Sequence, residues 1–228
     1  DRYALDLQLR DGNTLQYYHG TTSLLKIKLE GTRLQAEAAN TYRNLPGFDE
    51  VFVPCPLEPA ALHAYERRLP SYLAAAYSAA DSRWYGKKNE GYWQNRLAIG
   101  FGRDWRPGMD WLVLDREACI AFESCAAQDQ LCNPHRERLL AIRQQLRSED
   151  PILWGTPSAD DSLGGKLDFL ALGPDNELIC VELKDGGNTS GVYWGPLQAC
   201  AYRDDFRLVL SHVTEDIKRL VRQKIMLG

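Results

Sequence analysis

The sequence predicts an α/β protein: a mixed central sheet flanked by helices, preceded by an antiparallel β segment. Three observations lead there. The N-terminal segment alternates apolar and polar residues around turn residues, the period of half-buried strands. Leu57 to Ser82 is rich in Ala and Leu at helical spacing. Further on, KLDFLALG and LICVELK flank a turn cluster, Gly173-Pro174-Asp175-Asn176-Glu177, and read as a β-hairpin.

YALDLQLRDGNTLQYYHG gives two strands around Asp11-Gly12-Asn13, and LLKIKLEGTRLQAEAANTY gives two more around Glu30-Gly31. They form two hairpins or a meander, with Tyr3, Leu5, Leu7 and Leu9 on one face and Leu25, Ile27 and Leu29 on another. Adjacent Tyr17, Tyr18 and His19 suit base stacking, although ordinary strand aromatics are the simpler reading. Pro46, Gly47, Pro54 and Pro56 mark a linker. The expected domains are therefore 1–50, the β segment, and 51–228.

Pro70 should split the Ala/Leu-rich stretch into a helix pair. Asn89 to Phe101 reads as a helix with Trp93, Leu97 and Phe101 on one face, and 111–122 as a hairpin or bent strand. Asn133 to Ser148 reads as a helix with Asn133 as N-cap, Pro134 at its first position and a stripe of Leu139, Leu140, Ile142 and Leu146. Trp194, Gln198 and Tyr202 share a helical face. Phe206 to Leu210 then reads as a third core strand, and Thr214 to Met226 as a final helix.

The 228 residues carry a net charge of −4 with ordinary hydrophobic and charged fractions. That charge argues against a surface that attracts nucleic acid everywhere, but leaves room for local basic patches. His135 to Arg147 and Lys218 to Lys224 are basic, and read first as solvated helix faces. No apolar run is long enough to span a bilayer and no signal peptide is visible, so a cytoplasmic protein is expected. The chain begins at Asp1 without Met, which suggests a fragment or a processed chain. Cys180 and Cys200 read as small buried hydrophobes. Cys119, Cys125, Cys132 and His135 are near one another in sequence, but lack the CxxC pairs of common zinc sites.

The chemistry centres on the hairpin. If it is symmetric about Asp175, Leu172 pairs with Leu178, Leu170 with Cys180, and Asp168 with Glu182. Lys184 then shares the face of the two carboxylates, while Leu167, Phe169, Ala171, Ile179, Val181 and Leu183 fill the other. Carboxylates directly opposite each other repel, and a divalent cation would remove that cost. Mg²⁺ takes oxygen ligands, commonly one or two carboxylates plus water and phosphate. A lysine beside it can orient or deprotonate a water and offset charge on a phosphate. A plain salt-bridge cluster is the competing reading. The polar segment Asp185 to Gly191 is placed to contact a phosphate backbone through its N–H groups.

Asp168, the triplet Glu182-Leu183-Lys184, and the following Gln198 and Tyr202 resemble the core of the PD-(D/E)XK nuclease superfamily, which includes restriction endonucleases, repair nucleases and recombination exonucleases. The resemblance covers roughly residues 133–212; Leu167 stands where the family often has Pro. It implies a restriction-endonuclease-like fold and a Mg²⁺-dependent nuclease, with Mn²⁺ as a substitute. Asp168, Glu182 and the Leu183 carbonyl would hold the metal, and Lys184 would act at the attacking water. Gln198 would contact water or phosphate, and a helix Glu would support them: Glu137, with Glu90 as the alternative. Nucleic acid, DNA before RNA, is the implied partner, approached alone or as a homodimer or larger complex.

Two rivals come from other classes. A catalytically inactive nuclease-like module would bind nucleic acid or a protein partner without cutting. An assembly protein would carry the hairpin charges as plain ion pairs and have no metal affinity.

Overall fold

The structure, a computed structural model, describes residues 5–10, 13–84, 90–119, 122, 124–154, 166–184, 186–187 and 189–227. It is a mixed α and β protein whose sheets are antiparallel throughout the described residues. The chain divides into two compact units, Asp1–Asp104 and Trp105–Gly228.

In the first unit, β1 (Asp6–Arg10), β2 (Thr14–His19), β3 (Thr22–Glu30) and β4 (Arg33–Glu37) form a meander, closed by the two-residue β5 (Cys55–Pro56). Gly20 and Gly31 sit at φ +57° and +60°, left-handed conformations that tight turns demand and glycine adopts freely. Tyr3, Asp11 and Gly12 lie outside the described residues. The faces of β1 differ from expectation. Asp6 and Gln8 are fully buried, while Leu7 and Leu9 are half-buried. Gln8 Nε2 donates to Asp6 Oδ2 at 2.7 Å, so each buried side chain has the other as a partner. In β3, Leu25 and Ile27 are buried, but Leu29 near the strand end is exposed. Tyr18 and His19 are buried, and His19 stands edge-on to Tyr77 at 4.5 Å; they pack inward and are no base-stacking surface.

A short helix α1 (Phe48–Val51) leads to α2 (Pro59–Trp84), which is one helix and not a split pair. Pro70 lies within it and is exposed. Tyr65, Tyr72, Leu73, Ala76 and Ala80 on its inner face join Leu24, Leu25, Ile27 and Val51 in one core. That shared core moves the division of the chain from residue 50 to Asp104: α2 completes the β segment and does not open a second domain. α3 (Glu90–Ala98) continues as a π-helical turn, Ile99–Arg103. It buries Gln94, Asn95 and Ala98, whereas Trp93 is 51% exposed and Leu97 and Phe101 are half-buried.

In the second unit, β6 (Leu112–Ala118), β7 (Leu167–Leu172) and β8 (Leu178–Val181) form a sheet in the order β6-β7-β8. β6 is a single strand with a register shift between Val113 and Asp115. α4 (Cys125–Glu149) starts earlier than predicted. Ser124 is the N-cap, its Oγ accepting from the Ala127 N–H at 3.2 Å, and Pro134 lies inside the helix. Of the predicted stripe, Leu139 is buried and Ile142 exposed. A short α5 (Pro151–Trp154) follows.

α6 runs unbroken from Thr189 to Leu227. The expected third strand, Phe206 to Leu210, is part of this helix, and so is the predicted final helix. Phe206 and Val209 are buried, while Leu208 and Leu210 are exposed, the spacing of a helical stripe and not of a strand. Among the described residues every strand pair is antiparallel, so the mixed sheet expected from the sequence is not seen there. Tyr202 and Phe206 pack on Leu167, Leu170 and Ala118 of the sheet, with Leu178 and Cys180 at the margin. Leu139 and Leu140 of α4 meet Ala201 and Leu197 on another side of α6.

Candidate functional site

The β7–β8 hairpin forms with the predicted register: Leu172 faces Leu178, and Leu170 faces Cys180, with Phe169 opposite Val181. The turn sets it. Asn176 adopts φ +61°, a conformation Asn tolerates, and its N–H reaches the Gly173 carbonyl at 3.1 Å. Asp175 N–H donates to the Glu177 carboxylate at 2.9 Å.

Asp168 and Glu182 come one step beyond the last ladder pair, where the strands open. The Leu183 N–H donates to Asp168 Oδ2 at 2.6 Å, so the triplet is tied to the Asp through its own backbone. Lys184 Nζ donates to Glu182 Oε1 at 2.5 Å. The Glu182 side chain is only 5% exposed and that of Lys184 18%, so the pair is largely shielded from water and from salt screening. Asp168 is half-buried.

The first turns of α6 close the site. Gly195 is buried, and a Cβ there would stand 3.3 Å from Lys184 Cγ. The lysine stem thus lies against a helix backbone that a side chain would obstruct. Two turns on, Tyr202 is buried beside both carboxylates. Burial pushes its phenol up to about 12, with the charges of Glu182 and Asp168 pushing the same way. Gln198 is half-buried, one turn before Tyr202 on the same face. Thr189, Ser190 and Gly191 are already helical, so the polar connection after Lys184 is shorter than predicted. Asp185 and Asn188 within it lie outside the described residues.

Between α4 and α6 is a part-buried polar layer that the sequence did not signal. Asp205 accepts from Arg136 Nε at 3.1 Å and Nη2 at 2.8 Å, and His135 Nε2 is 2.9 Å from Asp204. Arg143 and Arg147 lie over the Trp194 ring at 4.5 and 4.9 Å. The basic stretch of α4 therefore turns much of its charge toward α6 and not toward solvent, and Trp194 packs on those arginines. Burial, joined for Arg147 by its Arg143 neighbour, holds both guanidiniums below their ordinary value. In the other basic stretch, Lys224 is buried.

No hydrogen bond or ion pair joins Glu137 to the hairpin among the described residues. Glu137 is exposed on α4, between the inward-facing Arg136 and the exposed Arg138. Glu90 opens α3, in the other compact unit. A different acidic residue is nearer in register: Glu117 lies between Arg116, paired with Phe169, and Ala118, paired with Leu167. It holds φ +47°, and its carboxylate is 3.5 Å from Lys166 Nζ. A non-glycine residue with such a φ is uncommon, and no sequence pattern announces it.

Among the described residues the cysteine group does not assemble. The Cys132 thiol is buried, and burial with Asp205 beside it raises it to about 11. His135 is engaged by Asp204, Cys119 is exposed, and the Cys125 side chain lies outside the described residues. Among the described residues no three His, Cys, Asp or Glu side chains converge as a ligand set. The oxygen donors that suit a hard cation are Asp168, Glu182 and the Leu183 carbonyl. With Lys184 counted, those side chains leave one net negative charge for a cation to offset.

No helix among the described residues is long and apolar enough to cross a membrane. Comparison with family models, with curated proteins and with solved structures gave no match.

Proposed function

We propose that the chain is a metal-dependent nuclease of the PD-(D/E)XK kind, hydrolysing phosphodiester bonds in nucleic acid, DNA before RNA. One observation carries this reading: Asp168, Glu182 and Lys184 meet at the open end of the β7–β8 hairpin, with Gly195 and Tyr202 of α6 packed behind them. Asp168, Glu182 and the Leu183 carbonyl are the groups that would hold Mg²⁺ or Mn²⁺. When bound, the metal supplies Lewis-acid polarisation and a more acidic water.

The chain's own residues do the rest. Lys184 brings an ammonium against the reacting phosphate, where a preorganised charge in a shielded site is most effective. Its stem is held by the Gly195 backbone, so its reach is fixed before substrate arrives. Tyr202 stays protonated at neutral pH and presents a hydroxyl, not an anion, to the carboxylates. Gln198, on the same face, orients water or phosphate. A helix glutamate, Glu137 or alternatively Glu90, would support these residues.

The Lys184–Glu182 pair also favours a second reading, a module that binds without cutting, because the pair neutralises half of the acidic site with no cation. Cleavage of labelled single- and double-stranded DNA and RNA, with Mg²⁺, Mn²⁺ or EDTA, separates the two. The expected result is metal-dependent cutting that Lys184→Ala abolishes. A folded parent that cuts nothing, with Mn²⁺ binding by electron paramagnetic resonance unchanged in Asp168→Asn, would overturn the nuclease and leave the binding module.

A further inference from the structure

β8 is the edge of its sheet. It pairs only with β7, so its outer N–H and C=O groups meet no strand among the described residues. Its sequence, Leu178-Ile179-Cys180-Val181, has none of the charges or prolines with which proteins blunt an open edge. Beside it runs a groove of about 830 Å³. One wall is Leu178 and Cys180 of β8, and the floor is Phe206, Leu210, Ile217 and Val221 of α6. Leu210 is 40% exposed, so the helix carries its apolar stripe past the last strand and leaves it uncovered.

The groove is also charged. Arg203, Arg207, Lys218 and Arg222 line it, against Glu177 as the one acid, although the surrounding unit has more acidic than basic residues. Arg203 and Lys218 are engaged by Asp204 and Glu215 on the helix itself. Arg207 and Arg222 have no carboxylate within ion-pair distance among the described residues. They are separated by about 22 Å at 1.5 Å per helical residue, the length of roughly six or seven extended residues.

We propose that this groove docks an acidic, extended polypeptide segment, which adds to β8 as a fourth strand. Main-chain hydrogen bonds to the β8 edge supply affinity; on the strand face turned to α6, apolar side chains enter the floor and acidic ones at the two ends meet Arg207 and Arg222. A second copy of the chain in two-fold pairing fits poorly, since it would place the same cations against themselves. The inference is independent of the nuclease reading, because neither metal nor cleavage enters it.

The test uses the full chain and a dye-labelled seven-residue peptide with glutamate at its two ends, valine at its third and fifth positions and threonine between them, so that glutamate and valine share one strand face; binding is followed by fluorescence anisotropy and hydrogen exchange. The expected outcome is binding that slows exchange at Leu178 to Val181 and weakens roughly tenfold in Arg207→Glu and in Leu210→Glu. Both positions are exposed, and circular dichroism checks that the variants stay folded. Four outcomes overturn the proposal: no binding; equal binding of the same peptide with lysine in place of glutamate; sodium laurate displacing the peptide with no slowing at β8, which marks an anionic-amphiphile pocket; or a concentration-dependent dimer in sedimentation that Leu210→Glu abolishes, which marks a second copy as the occupant.

Discussion

Gly195 leaves room for the stem of Lys184, and its missing side chain matters more than its conformational freedom. A Cβ at 3.3 Å from Lys184 Cγ asks the lysine to yield slightly, so Gly195→Ala should fold well and gain about 0.5–1 kcal/mol in denaturant unfolding. Gly195→Leu should lose about 1–3 kcal/mol by overpacking, and cleavage should fall roughly a hundredfold as Lys184 is displaced. Equal cleavage by parent and Gly195→Leu would show that the lysine's position is not set here. Asp205 tests the layer between α4 and α6. It is 2% exposed and holds Arg136 through both hydrogen bonds. Asp205→Ala leaves the Arg136 charge without its carboxylate and should cost about 3 kcal/mol. The loss should shrink in the double variant with Arg136→Ala, because the two residues act as a pair.

At the scale of elements, the hairpin was legible because its turn chemistry and its period-two pattern agree. Symmetry about Asp175 predicts both its register and the meeting of Asp168 with Glu182. The run Phe206 to Leu210 was misleading for the opposite reason. A short apolar run fits a buried strand or one side of a helix, and only the burial of Phe206 and Val209 against the exposure of Leu208 and Leu210 decides between them. Pro70 and Pro134 misled in another way: local rules place proline at helix starts or breaks, and packing overrides them in α2 and α4. The left-handed Glu117 and the Arg136–Asp205 layer depend on tertiary neighbours, and leave no trace in spacing. Pro70 allows a direct measurement. It is exposed, and it denies the Glu66 carbonyl its helical partner. Pro70→Ala should therefore raise unfolding stability by about 1–3 kcal/mol, less a few tenths to about 1 kcal/mol for the freer unfolded chain. A fall in the urea midpoint would mean that the proline itself is required there.

For the whole molecule, buried acids set the alkaline limit of stability. Burial pushes the Tyr65 and Tyr202 phenols up to about 12 from 10.0, and the Cys132 and Cys180 thiols up to about 11 from 9.0. The folded chain thus keeps protons that the unfolded chain releases. The stabilisation is complete below the unfolded values and is lost as pH rises through the folded ones. The urea midpoint should be flat below about pH 8.5 and decline steadily to about pH 12. Because Tyr65 lies in the first unit and the other three groups in the second, the decline should appear in both. A midpoint that rises with alkali would contradict the burial of these groups.

The hydrogen bond from the Leu183 amide to Asp168 has a spectroscopic consequence. An amide proton held by a carboxylate resonates according to the charge on that carboxylate. The Leu183 resonance should therefore shift when Asp168 gains a proton or is claimed by a cation, whether or not any bond is broken. One assigned peak in a nitrogen-labelled sample would then serve as an occupancy meter for the site, and candidate ions and nucleotides could be screened against it before any substrate is known.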